Sequence, residues 1–201
     1  QIILPSEFIA SAELYNRMPA IDRWVVHNVF EWLDNNRDRF GEFGHLAINL
    51  SGQTLNDVHS TEYIIDEIRQ RNIPTNKLCF EVTETAAISK LSNAAVVIQK
   101  LKQTGVTFSL DDFGSGFSSY AYLAQLPVDY IKIDGAFVAD MMTNPNDSAV
   151  VKSINEIGHF MGKKTIAERV ENKHLKQLLT AMGVDYLQGF GIHKPCLLNE
   201  M

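Results

Sequence analysis

Short apolar runs alternate with longer amphipathic segments along this chain, and that alternation limits the possible folds more than any other feature. "HLAINLS" (45–51), "LCFEVTE" (78–84), "VTFSL" (106–110), "YIKI" (130–133), "KTIAE" (164–168) and "YLQGF" (186–190) read as strands. "IDRWVVHNVFEWLDNN" (21–36) reads as an amphipathic helix with Trp24, Val25, Val29 and Trp32 or Leu33 on one side. Further helices are expected over 60–72, closed off by Pro74, over 89–105 with Gly105 as its cap, over 147–162, and over 172–183 with Gly183 as its cap. A shorter helix is expected near 119–126. Strands that alternate with helices define an α/β protein with a parallel sheet covered by helices. At 201 residues the chain suits one domain with a large core. A barrel of eight βα units takes about 250 residues, with about 200 as the lower end. Six visible strands therefore fit either an open doubly wound sheet or a barrel without its first piece.

The strand ends carry polar residues in succession: Asn49, then Glu81 and Glu84, then Asp111 and Asp112, then Lys132 and Asp134, then Glu168, then Gln188. In a parallel α/β barrel all strands point the same way, so these ends converge where active sites form. A single such residue is an ordinary cap or turn former. Six successive strands are harder to explain that way, and glutamate and lysine are poor caps. Asparagine and carboxylates are hard oxygen donors, suited to Mg²⁺ or Mn²⁺ rather than Zn²⁺. No histidine or cysteine joins the set; His27, His59, His159 and His174 fall on expected helices or loops and read as structural or solvated. A lysine among carboxylates can orient a water or a phosphate oxygen. Two-metal phosphodiester hydrolysis is the reaction class that uses this combination, with one aspartate bridging both ions.

"LDDFGSGFSS" (110–119) sharpens the question, because side chains alternate faces along a strand and neighbouring aspartates should point apart. At a strand end the chain can curl and aim both carboxylates at one site, where a cation would remove their repulsion. A plain turn and helix cap accounts for the same residues, since Asp, Gly and Ser all suit that job.

Net charge is −6, which disfavours nonspecific nucleic-acid binding, and no DNA binding is expected. An anionic substrate must then be drawn in by metal ions or local basic residues. Cys79 and Cys196 have neither metal-ligand spacing nor a disulfide framework, which fits a reducing cytosol. The longest apolar runs, such as "AAVVI" (94–98), are far too short to span a bilayer, and there is no signal-peptide pattern. A cytoplasmic location is expected, with any membrane anchor supplied by segments outside this chain.

"INLS", "FEVTE", "LDDFGSGFSSYAYLAQLPVDYIKID", "TIAERVE" and "QGFGIHKP" resemble, in order, the motifs of the EAL-domain family of bacterial cyclic di-GMP phosphodiesterases. "SEFIASAE" and "MPAIDRWVV" are similar to that family's early segment, so the resemblance covers nearly the whole chain. It implies a modified (β/α)8 TIM-like barrel and metal-dependent hydrolysis of cyclic di-GMP to linear pGpG. It also implies site roles: Asn49, Glu81 and Asp111 as metal ligands, Asp111 bridging, and Asp112 as a ligand of the second metal. Lys132 corresponds to the lysine on the attacking water or phosphate, and Glu168 and Gln188 to residues that hold water at the metals. Glu84 corresponds to a glutamate that braces the loop after the double aspartate, and Asp134 is a substrate-binding candidate. Gly114 and Gly116 are expected to allow the tight backbone of that loop. A homodimer through the surface near 113–119 is implied, as is an upstream regulatory or GGDEF domain.

Three departures from the family pattern stand out. The Glu-Ala-Leu motif is absent, so residues 1–201 read as an EAL domain without its first strand and that strand's metal-ligating glutamate. Arg169 stands where glycine is common, and so does His193. The competing function is a degenerate EAL module that binds cyclic di-GMP or a partner protein without turnover.

Overall fold

The computed structural model describes residues 3–71, 73–115 and 120–200. Gly116 and its neighbours through 119, to which the sequence reading assigned part of the tight turn and of the dimer surface, lie outside the described residues. The chain forms two compact units: Gln1–Phe108 with Gln125–Pro127, and Ser109–Ala124 with Val128–Met201. No helix among the described residues is long and apolar enough to cross a membrane.

The first unit begins with helices α1 (Pro5–Leu14) and α2 (Met18–Asn35). Strand β1 (Leu46–Asn49) then pairs in parallel with β2 (Leu78–Thr83), with Asn49 opposite Glu81. Between these strands lie α3 (Gly52–Leu55) and α4 (Val58–Arg71); α5 (Glu84–Ser89) and α6 (Leu91–Lys102) follow. Residues Leu78 to Val82 are all buried, the pattern of a parallel strand covered on both faces. Val26, Phe30 and Leu33 of α2, Ile64 and Ile68 of α4, and Ile98 of α6 form the core, where the Phe80 and Phe108 rings meet at 5.6 Å. The buried stripe of α2 runs through Asp22, Val26, Phe30 and Leu33, and Trp24 is exposed. This offset from the expected stripe has a polar cause. Asp22 turns inward, where its Oδ2 accepts hydrogen bonds from Ser51 N at 2.9 Å and Thr54 Oγ1 at 2.5 Å. These bonds fix the turn that follows Asn49.

In the second unit, β3 (Thr107–Phe113, whose first two residues belong to the first unit) pairs in parallel with β4 (Tyr130–Ile133). Strand β4 pairs with β5 (Lys164–Ala167), and β5 with β6 (Tyr186–Leu187), again in parallel. Helices α7 (Tyr120–Leu123), α8 (Gly135–Asp140), α9 (Pro145–Phe160) and α10 (Lys173–Ala181) complete the unit. Every residue of β4 is buried, and Leu110, Ile131, Ile133, Val151, Ala167, Val170 and Leu179 are inaccessible to solvent. The α/β alternation read from the sequence is present, and all strand pairings within each unit are parallel.

Two local differences bear on the site. The Asp-Asp pair lies inside β3, not in a loop after it. Glu84 opens α5 instead of ending the strand, because the Thr83 side chain caps the helix by accepting the Ala86 N–H.

Candidate active site

The second unit answers how neighbouring aspartates reach one place. Leu110 pairs with Ile131 and Phe113 with Ile133, so Asp111 and Asp112 together stand opposite the single residue Lys132. This is a β-bulge, in which an extra residue breaks the alternation of faces. Asp112 takes the left-handed backbone that the bulge requires, with φ +54°. Such a conformation costs most side-chain-bearing residues about 1–2 kcal/mol, and aspartate tolerates it better than most. Asp112 N donates to Asp111 Oδ1 at 3.1 Å, and Ser115 Oγ donates to the Asp112 carbonyl at 2.9 Å, holding the bulge. Gly114, at φ +104°, turns the chain immediately afterwards.

Lys132 is almost wholly buried, 3% exposed, and its ammonium therefore needs anionic partners. It lies 2.9 Å from Asp111 Oδ1 and 2.8 Å from Glu168 Oε1. Asp111, Asp112 and Glu168 each offer an oxygen, all within 4.8 Å of one another. Burial pushes the Asp112 carboxyl up, and Asp111 and Asp134 add to the shift, against the pull of Lys132 and Arg169. Burial likewise raises Glu168; its hydrogen bond to Lys132 opposes the rise, and Asp111 and Asp112 reinforce it. Three carboxylates facing one ammonium leave excess negative charge, and an all-oxygen donor set of this kind fits a hard divalent cation. Glu168 thus belongs to the potential ligand cluster itself, which its position at a strand end signals no differently from a water-holding role.

Asp134 follows β4, and its carboxylate caps α8 by accepting Ala136 N–H at 2.8 Å. Gln188 stands just past β6; its N–H donates to the Ala167 carbonyl at 2.9 Å and its carbonyl accepts from Val170 N at 3.0 Å. The Gln188 side lines a cleft of about 370 Å³ with Glu168, Arg169, Glu171, Gly189 and Phe190. Arg169 itself adopts φ +49°, a left-handed value uncommon for an arginine. Glycine, expected here from the resemblance, would adopt this backbone freely; arginine adopts it instead.

In the first unit, Asn49 and Glu81 are register partners at neighbouring strands, joined by Leu50 N donating to the Glu81 carbonyl at 2.8 Å. Asn49 is exposed and lines a cleft of about 830 Å³ shared with Asp22, Ser51, Gln53, Thr83 and Lys90. Glu81 is buried, and Glu84 is 1% exposed in the first turn of α5. Each unit therefore gathers its own part of the sequence-derived set: Asn49 with Glu81, and Asp111, Asp112, Lys132 and Glu168 with one another.

Parallel βα units with carboxylates and a buried lysine at the strand ends define an α/β protein whose Asp111, Asp112 and Glu168 could hold a divalent cation. The family profile described as EAL domain matches residues 1–195, and the chain belongs to the EAL-domain family. It is 43% identical over 195 residues to cyclic di-GMP phosphodiesterase PdeB of Shewanella oneidensis, covering 97% of this chain and 23% of that protein. It is 31% identical to cyclic di-GMP phosphodiesterase PdeF of Escherichia coli, covering 97% of this chain and 26% of that protein. The chain thus spans about a quarter of the length of these curated relatives. The solved PaMucR phosphodiesterase in complex with c-di-GMP matches with a TM-score of 0.92 at 29% identity, over 98% of this chain and 80% of that one. The fold is accordingly the TIM-like α/β fold of EAL domains.

Proposed function

We propose that this EAL domain hydrolyses cyclic di-GMP to linear pGpG with the help of two divalent cations, Mg²⁺ or Mn²⁺. The observation that carries this reading is the buried Lys132 ammonium held between Asp111 and Glu168 inside a three-carboxylate cluster. A pure receptor has no chemical need for a buried ammonium set among potential metal ligands. The names of PdeB and PdeF support the same substrate. The ligands would be Asp111, Asp112, Asn49 and Glu81. Divalent cations held by these residues would supply a lowered pKa for water and charge compensation at the leaving oxygen.

The chain's own residues divide the remaining work. Asp111 and Glu168 hold the Lys132 ammonium, so that it points at the place where charge grows on the phosphate oxygens. Glu168 and Gln188 orient water from one side of the cleft. Glu84 braces the loop after β3, and Asp134 contacts the nucleotide. The same reading puts a homodimer contact beside Gly114 and Ser115, an upstream regulatory or GGDEF partner, and the protein in the cytoplasm.

Incubation of the full chain with cyclic di-GMP and Mn²⁺, followed by chromatography, tests this reading. Conversion to pGpG that a chelator abolishes is expected. Tight nucleotide binding without any product would instead make the chain a cyclic di-GMP receptor.

A further inference from the structure

Arg169 is an exposed arginine with a constrained backbone, a packed stem and an uncommitted head. Its backbone is left-handed, at φ +49°, directly after Glu168. Its stem lies across the Cα of Gly135, where any Cβ would collide with Arg169 Cγ and Cδ. Its guanidinium makes no hydrogen bond or ion pair among the described residues, although its charge weakly opposes the burial that raises the Asp112 carboxyl. The stem is thus pinned, while the charged head is left uncommitted. Arg169 lines the cleft containing Glu168, Gln188 and Phe190.

The occupant of such a position is anionic. A guanidinium is always charged and presents a rigid fork of donors that matches phosphate oxygens. A chain of net charge −6 with three clustered carboxylates repels a dinucleotide with two phosphodiesters unless local cations offset that field. We infer that Arg169 is a substrate-binding residue whose guanidinium contacts a non-bridging phosphate oxygen of the dinucleotide at the Asp112–Glu168 edge of the site. This inference rests on the proposed phosphodiesterase function.

Steady-state kinetics on Arg169→Gly and Arg169→Lys, with Mn²⁺ titrations in the absence of nucleotide, provide the test. Glycine accepts the left-handed backbone, so Arg169→Gly should keep the melting temperature of the wild-type chain or exceed it. KM for cyclic di-GMP should rise about tenfold or more, the size of a lost charge-assisted contact, while kcat stays within about twofold. Mn²⁺ affinity should be unchanged or tighter, since a cation beside Asp112 has gone. Arg169→Lys should recover part of the KM loss. An unchanged KM in Arg169→Gly, with the wild type active, overturns the inference alone. Weakened Mn²⁺ binding with normal KM at saturating metal also overturns it, by making Arg169 a strut for Asp112. A wild-type chain that binds Mn²⁺ but neither binds nor cleaves cyclic di-GMP overturns the proposed function, and the inference with it.

Discussion

The Lys132 Nζ lies 2.8 Å from Glu168 Oε1, joining the ends of two adjacent parallel strands through an ion pair whose lysine is nearly inaccessible. An ammonium fixed in this way costs no reorganisation when negative charge develops beside it. Lys132→Ala should lower kcat by two or more orders of magnitude, equivalent to about 3 kcal/mol in the barrier. Cyclic di-GMP should still bind. Single-turnover rates and equilibrium binding separate the two effects. Collapsed affinity with surviving turnover would make Lys132 a substrate clamp.

Asp111 is the carboxylate that meets Lys132 at 2.9 Å and accepts the Asp112 N–H. Asparagine keeps an oxygen for that N–H and so preserves the bulge, but it removes the charge. Asp111→Asn should fold normally, bind Mn²⁺ weakly and show no measurable turnover. In the wild type Mn²⁺ should raise the melting temperature, because the ion binds the folded site alone. That rise should vanish in the variant. Near-normal hydrolysis by Asp111→Asn would sink the two-metal reading.

The residues of this site were legible in the sequence because buried parallel strands read as apolar runs with polar ends. Asn49 and Glu81 in the first unit, and Asp111, Lys132 and Glu168 in the second, all stand at or near such ends. The device that turns Asp111 and Asp112 to the same side was not legible. It depends on cross-strand register and a left-handed φ at Asp112, and no local periodicity encodes either. Helices α3, α5 and α8 were missed for a related reason. They have four to six residues, too few to show a 3.6-residue period, and each starts on a side-chain cap: Ser51, Thr83 or Asp134. The inward turn of Asp22, which displaced the expected Trp24 stripe, is a single polar residue on an apolar face that hydropathy counts against burial.

Gly114 follows the bulge with φ +104°, and a Cβ there would stand 3.0 Å from Phe137 Cε2 and 3.1 Å from Ile154 Cδ1. Valine is doubly unsuitable, being β-branched in a left-handed conformation and larger than the space. Gly114→Val should destabilise the fold by about 2 kcal/mol. Because Gly114 lies two residues beyond Asp112, Mn²⁺ affinity should fall as well. If the dimer contact lies beside this turn, light scattering should show a shift toward monomer. A variant with unchanged melting temperature and metal affinity would show that the turn is not coupled to the bulge.

Asp185 gives the chain a pH dependence away from the site. Its Oδ2 accepts Thr165 N–H at 2.8 Å and lies 2.8 Å from His159 Nε2, while the Thr165 hydroxyl donates to Asn155 Oδ1 at 2.5 Å. Asn155 Nδ2 in turn donates to the Met182 carbonyl at 3.0 Å, so one network links α9, the start of β5 and the end of α10. Burial works to raise the Asp185 carboxyl, but the Thr165 N–H and the His159 ring outweigh it and hold the group below its ordinary value. A depressed folded-state pKa means that ionised Asp185 stabilises the fold above the ordinary carboxylate value of about 4. That contribution is lost as pH falls from about 4 through the lower, folded-state value. The melting temperature of the wild type should therefore drop more steeply below about pH 4 than that of Asp185→Asn. At neutral pH the variant should already be less stable, by about 1 kcal/mol for the weakened hydrogen bonds. Parallel melting curves for the two proteins from pH 7 down to about pH 3 would decide the matter. Curves that stay a constant distance apart would show that Asp185 titrates as an ordinary surface carboxylate.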